Sequence, residues 1–196
     1  MVTQIVTAAV VTYLLGSIPF SFLIAYYIKG IDLRFTGEGN VGARNVWHLV
    51  GKKYGILAAL LDAGKGLGAF GVGRALQLDL PWLWICGLGV IIGHGFPVFL
   101  KGRGGKGAAA ALGFLLGLNP AALLLSGALM GFIYLLSRNF HLALGTGMTA
   151  IPLLWYFLFH HSLADSLSAI GFLLLLGIKR VIDEPHMRKI KQVSGW

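Results

Sequence analysis

An all-α integral membrane protein is what this sequence predicts, with seven transmembrane helices, one of them short, the N-terminus outside and the C-terminus cytoplasmic. Three observations carry that reading. The residues are 57% hydrophobic and 12% charged, with a mean hydropathy of +0.79, whereas a soluble domain has roughly a quarter of its residues charged. Apolar windows of about 17–25 residues, enough to cross a hydrocarbon core, recur along the chain. The cations fall in alternate connections, the pattern of loops retained in the cytoplasm.

The first window, 5–28, contains Gly16-Ser17-Ile18-Pro19. A proline there removes an amide donor and predicts a kink. No Lys or Arg precedes Lys29, and the run exceeds the core of a signal peptide, so a retained span beginning outside is expected. A polar stretch occupies 29–53. The second window, 54–76, holds Asp62 and Lys65, three apart and therefore on one helix face. The third runs over 80–99. A short apolar segment, 107–118, stops at Asn119-Pro120 and is read as a short span or a half-helix beside a cavity. Further windows cover 121–136, 142–159 and 163–178, and a polar cationic tail takes 179–196. The whole chain, 1–196, reads as one polytopic domain.

Charge supports the count. With the short segment included, Lys29, Arg34, Arg44, Lys52 and Lys53 share one side with Lys101, Arg103, Lys106, Arg138 and the tail's Lys179, Arg180, Arg188, Lys189 and Lys191. Only Arg74 falls in the other connections. The net charge of +9 therefore points to anionic headgroups and anionic substrates rather than nucleic acid. Cys86 is the lone cysteine and lies in an apolar run, which excludes disulfides and a cysteine-rich metal site. His160-His161 has no carboxylate or cysteine neighbour, so neither a metal nor a cofactor is called for. Glycine rows at 64, 66, 68, 71 and 73 and at 87, 89 and 93 predict closely packed helices.

The most informative stretch is His94 to Gly107, in which Lys101, Arg103 and Lys106 alternate with Gly102, Gly104, Gly105 and Gly107. Glycine lets backbone amides approach a ligand and the cations supply charge, a combination suited to a phosphate ester. A nucleotide phosphate loop is excluded, since GxxxxGK[ST] is absent, and no Gly-x-Ser-x-Gly nucleophile motif is present. Gly37-Glu38-Gly39-Asn40, with Gly42, Arg44 and Asn45, forms a second glycine-rich loop expected on the same face.

On these residues the sequence resembles the bacterial acylphosphate-dependent glycerol-3-phosphate acyltransferases, the PlsY family. The matching motifs are Gly16-Ser17-Ile18-Pro19-Phe20, Gly30-Ile31-Asp32-Leu33-Arg34, Gly39-Asn40 with Gly42-Ala43 and Asn45, Gly51-Lys52-Lys53-Tyr54-Gly55, Leu61-Asp62 with Lys65-Gly66, Gly93-His94 with Phe96-Pro97-Val98-Phe99, and Lys101 to Gly107. The resemblance implies transfer of a fatty acyl group from acyl-phosphate to glycerol 3-phosphate, giving lysophosphatidic acid and phosphate, at a multi-pass plasma-membrane site facing the cytoplasm. His94, Lys106 and Asn40 would be catalytic. Lys101, Arg103, Gly104, Gly105, Lys106, Gly107, Gly39, Asn40, Arg44 and Asn45 would serve the substrate phosphates, with the amides of 104, 105 and 107 completing a cradle and Asn40 and Asn45 holding the first loop. The chain departs from the family pattern at Glu38, Arg44, His48 and His141 and around Lys179 to Pro185. A carboxylate at 38 would repel phosphate unless paired with Arg44. A divergent paralogue with altered acceptor or no activity, and a transporter of an anionic phosphorylated solute, stay open as other readings.

Overall fold

The computed structural model describes residues 1–195, with the side chains of Phe140 and His141, one of the substituted positions, outside the described set. Among the described residues there are nine α-helices: α1 Val2–Ser17, α2 Phe20–Lys29, α3 Ala43–Leu49, α4 Lys52–Ala75, α5 Leu83–Gly95, α6 Ala108–Leu118, α7 Pro120–Ser137, α8 Phe140–Phe157 and α9 Leu163–Ser194. A single 3-10 turn, Val98–Leu100, follows α5.

The expected kink is a full break. Ile18 is extended and Pro19 carries no amide to continue the ladder, so α1 and α2 are separate helices. Together they still form one apolar run, 2–29, long enough to cross a membrane, as are Lys52–Ala75, Leu83–Leu100 and Pro120–Ser137. Ala108–Leu118 and Leu142–Phe157 are shorter apolar helices. The last window and the cationic tail form one helix, α9, which runs on to Ser194 through Pro185. Leu60, Leu124, Leu135, Leu136 and Leu174 are each more than 60% exposed. A water-soluble surface would not spread large apolar side chains this way, and a lipid-facing one does.

Close packing of α1 on α5 and of α4 on α6 builds the centre. A Cβ on Gly66 would fall on the Ala110 carbonyl, and one on Gly93 would fall on the Tyr13 carbonyl. These positions need glycine so that backbones can touch. Gly64 and Gly71, from the same predicted rows, face open space. Trp84, Phe114, Trp155 and Phe172 form a buried aromatic cluster, with Trp84 and Phe172 ring centroids 5.3 Å apart. Cys86 is fully buried in the same core. At the other end of α5 the interior turns polar, around His94, Asp62 and Lys65. A second apolar cluster, including Leu33, Val41, Val46, Val50 and Leu100, seats the first polar loop over that end.

Candidate active site

The polar end starts from the break between α1 and α2. A helix that stops inside a membrane leaves carbonyls without donors. Lys65 reaches across from α4 and donates to Gly16 O at 2.9 Å and Ile18 O at 3.1 Å. Its charge is met by Asp62, with Nζ 2.9 Å from Oδ1 and both side chains almost wholly buried. Ser21 donates to the other Asp62 oxygen at 3.2 Å. His94 Nδ1 stands 3.5 Å from Asp62 Oδ1, close enough for an ion pair but without hydrogen-bond alignment. The sequence placed Asp62 and Lys65 on one face, and that face looks inward.

Above this cluster the loop 31–42 is built as a rigid wall. Arg34 and Asp32 make a bidentate contact, with Nη2 to Oδ2 at 2.7 Å and Nε to Oδ1 at 3.0 Å. Burial alone would raise the Asp32 carboxyl, but the Arg34 hydrogen bonds and charge outweigh it and hold the group below its usual range. Asn45 is completely buried. Its Nδ2 donates to Thr36 O at 2.9 Å and Asn40 O at 3.1 Å, and its Oδ1 accepts from Glu38 N at 3.1 Å. The tail of α9 closes the loop from below, where His186 Nε2 lies 2.8 Å from Arg34 O and Ser194 Oγ donates to Gly37 O at 3.2 Å.

Between this wall and the start of α6 lies a cavity of about 230 Å³, lined by Glu38, Asn40, Gly42, Ala43, Arg44, Asp62, His94, Lys106, Gly107, Ala108 and Ala109. It gathers Asn40, Arg44, His94, Lys106 and Gly107 from the sequence-derived site. Lys106 makes no hydrogen bond or close ion pair with any described residue. Burial, and then the like charges of Arg180, Lys191 and Arg44, push its ammonium below the ordinary lysine value, while Glu38 acts in the opposite sense. The first turn of α6 begins at Ala108, so its amides, which lack intrahelical acceptors, open on the same cavity. Glu38 Oε1 pairs with Arg44 Nε at 3.0 Å; the Glu38 side chain is buried and the Arg44 side chain is 76% exposed.

The remaining site residues are distributed differently from the expectation. Gly39, Arg103 and Gly104 line an adjoining cavity of about 260 Å³ with Arg34, Lys179 and His186. Arg103 lies over the Phe35 ring at 5.9 Å. Lys101 is exposed and lines neither cavity. Asn45 is a brace beneath the wall, with no surface in the cavity. His48 and Arg44 border a groove of about 400 Å³ between α3 and α4.

Two of the three glycine amides expected in the cradle are already in use, while Gly107 N, beside the cavity, donates to no described backbone carbonyl. Gly104 N donates to Gly95 O and Gly105 N to His94 O, both at 3.1 Å, so neither amide is left to cradle a phosphate. These glycines instead let the loop lie against the end of α5. A Cβ on Gly105 would meet the His94 ring and the Val41 carbonyl. Gly105→Ala is therefore expected to displace His94 and lower turnover on the order of a hundredfold without loss of helix content, measured by steady-state rate and circular dichroism. Unchanged turnover would show that the close approach is incidental.

Four contributors escaped the sequence reading: the α6 amides at Ala108 and Ala109, and Arg180 and Lys191. A signal existed for the last two, since residues eleven apart share a helix face, but it required the tail to be read as helix. His161 stacks on Trp155 at 4.8 Å, in a packing role.

Residues 6–193 match the family described as glycerol-3-phosphate acyltransferase. The chain is 42% identical over 142 residues to the glycerol-3-phosphate acyltransferase of Geotalea daltonii, covering 72% of this chain and 73% of that protein. It is 44% identical over 143 residues to the enzyme of the same name from Myxococcus xanthus, covering 71% and 73%. Among solved structures it resembles PlsY (YgiH), an integral membrane glycerol 3-phosphate acyltransferase. In the glycerol 3-phosphate form the TM-score is 0.79 at 33% identity, over 97% of this chain and 92% of that one. In the lysophosphatidic acid form the TM-score is 0.76 at 31% identity, with the same coverage.

Proposed function

Since the chain belongs to the glycerol-3-phosphate acyltransferase family, we propose that its cavity between the first loop and α6 joins an acyl-phosphate donor to glycerol 3-phosphate. A hydroxyl of the acceptor attacks the acyl carbonyl and an acyl–oxygen bond forms. The bond from the carbonyl carbon to the phosphate oxygen breaks, phosphate leaves with the electron pair, and the hydroxyl proton is released. A mixed anhydride already carries a good leaving group, so the protein's work is positioning and charge stabilisation.

The observation that carries this reading is the Lys106 ammonium, unpaired by any described side chain, beside the free amides of the first turn of α6. They would hold the acceptor phosphate. Arg103 and Arg34 in the adjoining cavity supply charge for the second phosphate. Asn40 and His94 line the reaction space. Seven spans, an amino terminus outside and a plasma-membrane site opening to the cytoplasm fit the alternation of cationic connections, and both polar loops join the cationic tail at one end of the bundle. Purified protein given palmitoyl phosphate and labelled glycerol 3-phosphate is expected to release labelled 1-acyl-glycerol 3-phosphate. A folded preparation that forms none, with both substrates intact, rules the reading out.

The charge on Lys106 also sets a pH dependence. Binding a phosphate needs the ammonium, and its pKa lies below 10.5. Acceptor kcat/KM, which reports the free enzyme, should therefore fall as pH rises through that depressed value. Glu38→Gln removes the neighbour that raises it and moves this limb to lower pH. Arg180→Gln removes the strongest like charge and moves it to higher pH. Rate–pH profiles of the three proteins check both signs.

A further inference from the structure

A buried carboxylate in the wall of an anion-binding cavity is costly, and Glu38 is one. Its residue is 4% exposed, it lines the same cavity as Lys106, and its carboxylate is ion-paired to the exposed Arg44, whose Nε stands 3.0 Å from Oε1. No described donor reaches Oε2. Two positions along the chain, Asn40 lines the same cavity and its buried Oδ1 also lacks a donor. The wall opposite the cations thus presents one hydrogen-bond acceptor with nothing donating to it, Glu38 Oε2, and behind it the buried Asn40 Oδ1. A second phosphate oxygen would be repelled there. A hydroxyl would not, since it brings the missing hydrogen.

We propose that Glu38, with Asn40, is the specificity-determining residue of the acceptor subsite: it reads the hydroxyls of a polyol monophosphate while Lys106 and the amides of α6 hold the phosphate. The cavity is bipolar. One pole takes the dianion, and the other takes the hydrogen atoms of the glycerol unit and turns away phosphates that carry none. Arg44 holds the Glu38 carboxylate in place at Oε1 without covering Oε2. This deepens, and rests on, the acceptor reading given above. Glu38 serves here as a positioning group and takes no covalent part in the transfer.

The test compares glycerol 3-phosphate with 3-hydroxypropyl phosphate, which lacks the middle hydroxyl, as acceptors for palmitoyl phosphate, with inorganic phosphate as a competing anion. A hydrogen bond to a charged group accounts for roughly tenfold to hundredfold discrimination. The native protein is therefore expected to prefer glycerol 3-phosphate by that ratio in kcat/KM, and Glu38→Gln to reduce the preference to a few-fold. Inorganic phosphate should inhibit Glu38→Gln more tightly than the native protein, because the repelling charge is gone. Glu38→Asp should retain part of the discrimination. A merely structural Glu38 would lower both acceptors equally and leave their ratio and the phosphate inhibition unchanged; that result, in variants with native helix content, overturns the inference alone. If the native protein acylates neither acceptor, the acceptor reading and this inference fall together. Should Glu38→Gln not fold, Glu38→Asp decides, and an unchanged acceptor ratio together with unchanged inorganic phosphate inhibition in that variant overturns the inference.

Discussion

Replacing Lys106 with alanine is expected to lower kcat/KM for glycerol 3-phosphate by about a hundredfold to a thousandfold, whereas Lys52→Ala leaves it within about twofold. Both lysines belong to the cationic set that orients the chain, so topology alone would treat them alike. Their surroundings differ. Lys52 is exposed at the start of α4. Lys106 is half-buried in a cavity where the water that would screen its charge is partly excluded, and no described carboxylate pairs with it directly. Low dielectric makes a preorganised charge worth far more to a phosphate than the same charge in bulk water. Steady-state rates at varied acceptor and donor concentrations also divide the effect. Loss mainly in acceptor KM assigns Lys106 to the acceptor phosphate, and loss mainly in kcat assigns it to the phosphate that leaves. Equal effects at Lys52 and Lys106 would mean that the glycine-lysine loop is only a topological anchor.

The all-helical membrane class was legible because hydropathy acts over whole segments and needs no partner. A kink at Gly16-Pro19 was legible because a proline acts locally, but the full break into two helices was not. The meeting of the two glycine-rich loops was partly legible, since charge sign assigned both to one face. What was not legible was how each backbone amide is used. Whether Gly104 N faces a ligand or the carbonyl of Gly95 depends on how the loop folds back onto α5, and spacing carries no trace of that. The free amides lie one step later, at the head of α6, where Ala108 and Ala109 look like ordinary apolar residues. The tail was read by its polarity as an appendage. Its helix instead brings Arg180 and Lys191 toward Lys106 and braces the first loop through His186 and Ser194. Glu38 and Arg44 were legible as a compensating pair from charge alone, and their 3.0 Å contact has that form.

Lys65→Ala is expected to cost about 3–5 kcal/mol of stability, the largest effect of any single charge removal away from the cavity mouth. The broken first span creates the demand for this donor. Pro19 ends the α1 ladder inside the membrane, and Lys65 Nζ is the donor that serves both Gly16 O and Ile18 O. The same ammonium neutralises Asp62, whose side chain is 2% exposed. Alanine would leave two carbonyls and a buried carboxylate without the donor that now serves them. Asp62→Asn alone should also destabilise, since it leaves the ammonium without its counter-charge. Combining Asp62→Asn with Lys65→Met should cost clearly less than the sum of the single changes, because the pair is removed together and no lone charge remains. Thermal unfolding of the three variants and the native protein in one detergent measures this. Lys65→Ala unfolding at the native temperature would show that the break is held by helix packing alone, and strict additivity would show that the two charges do not depend on each other.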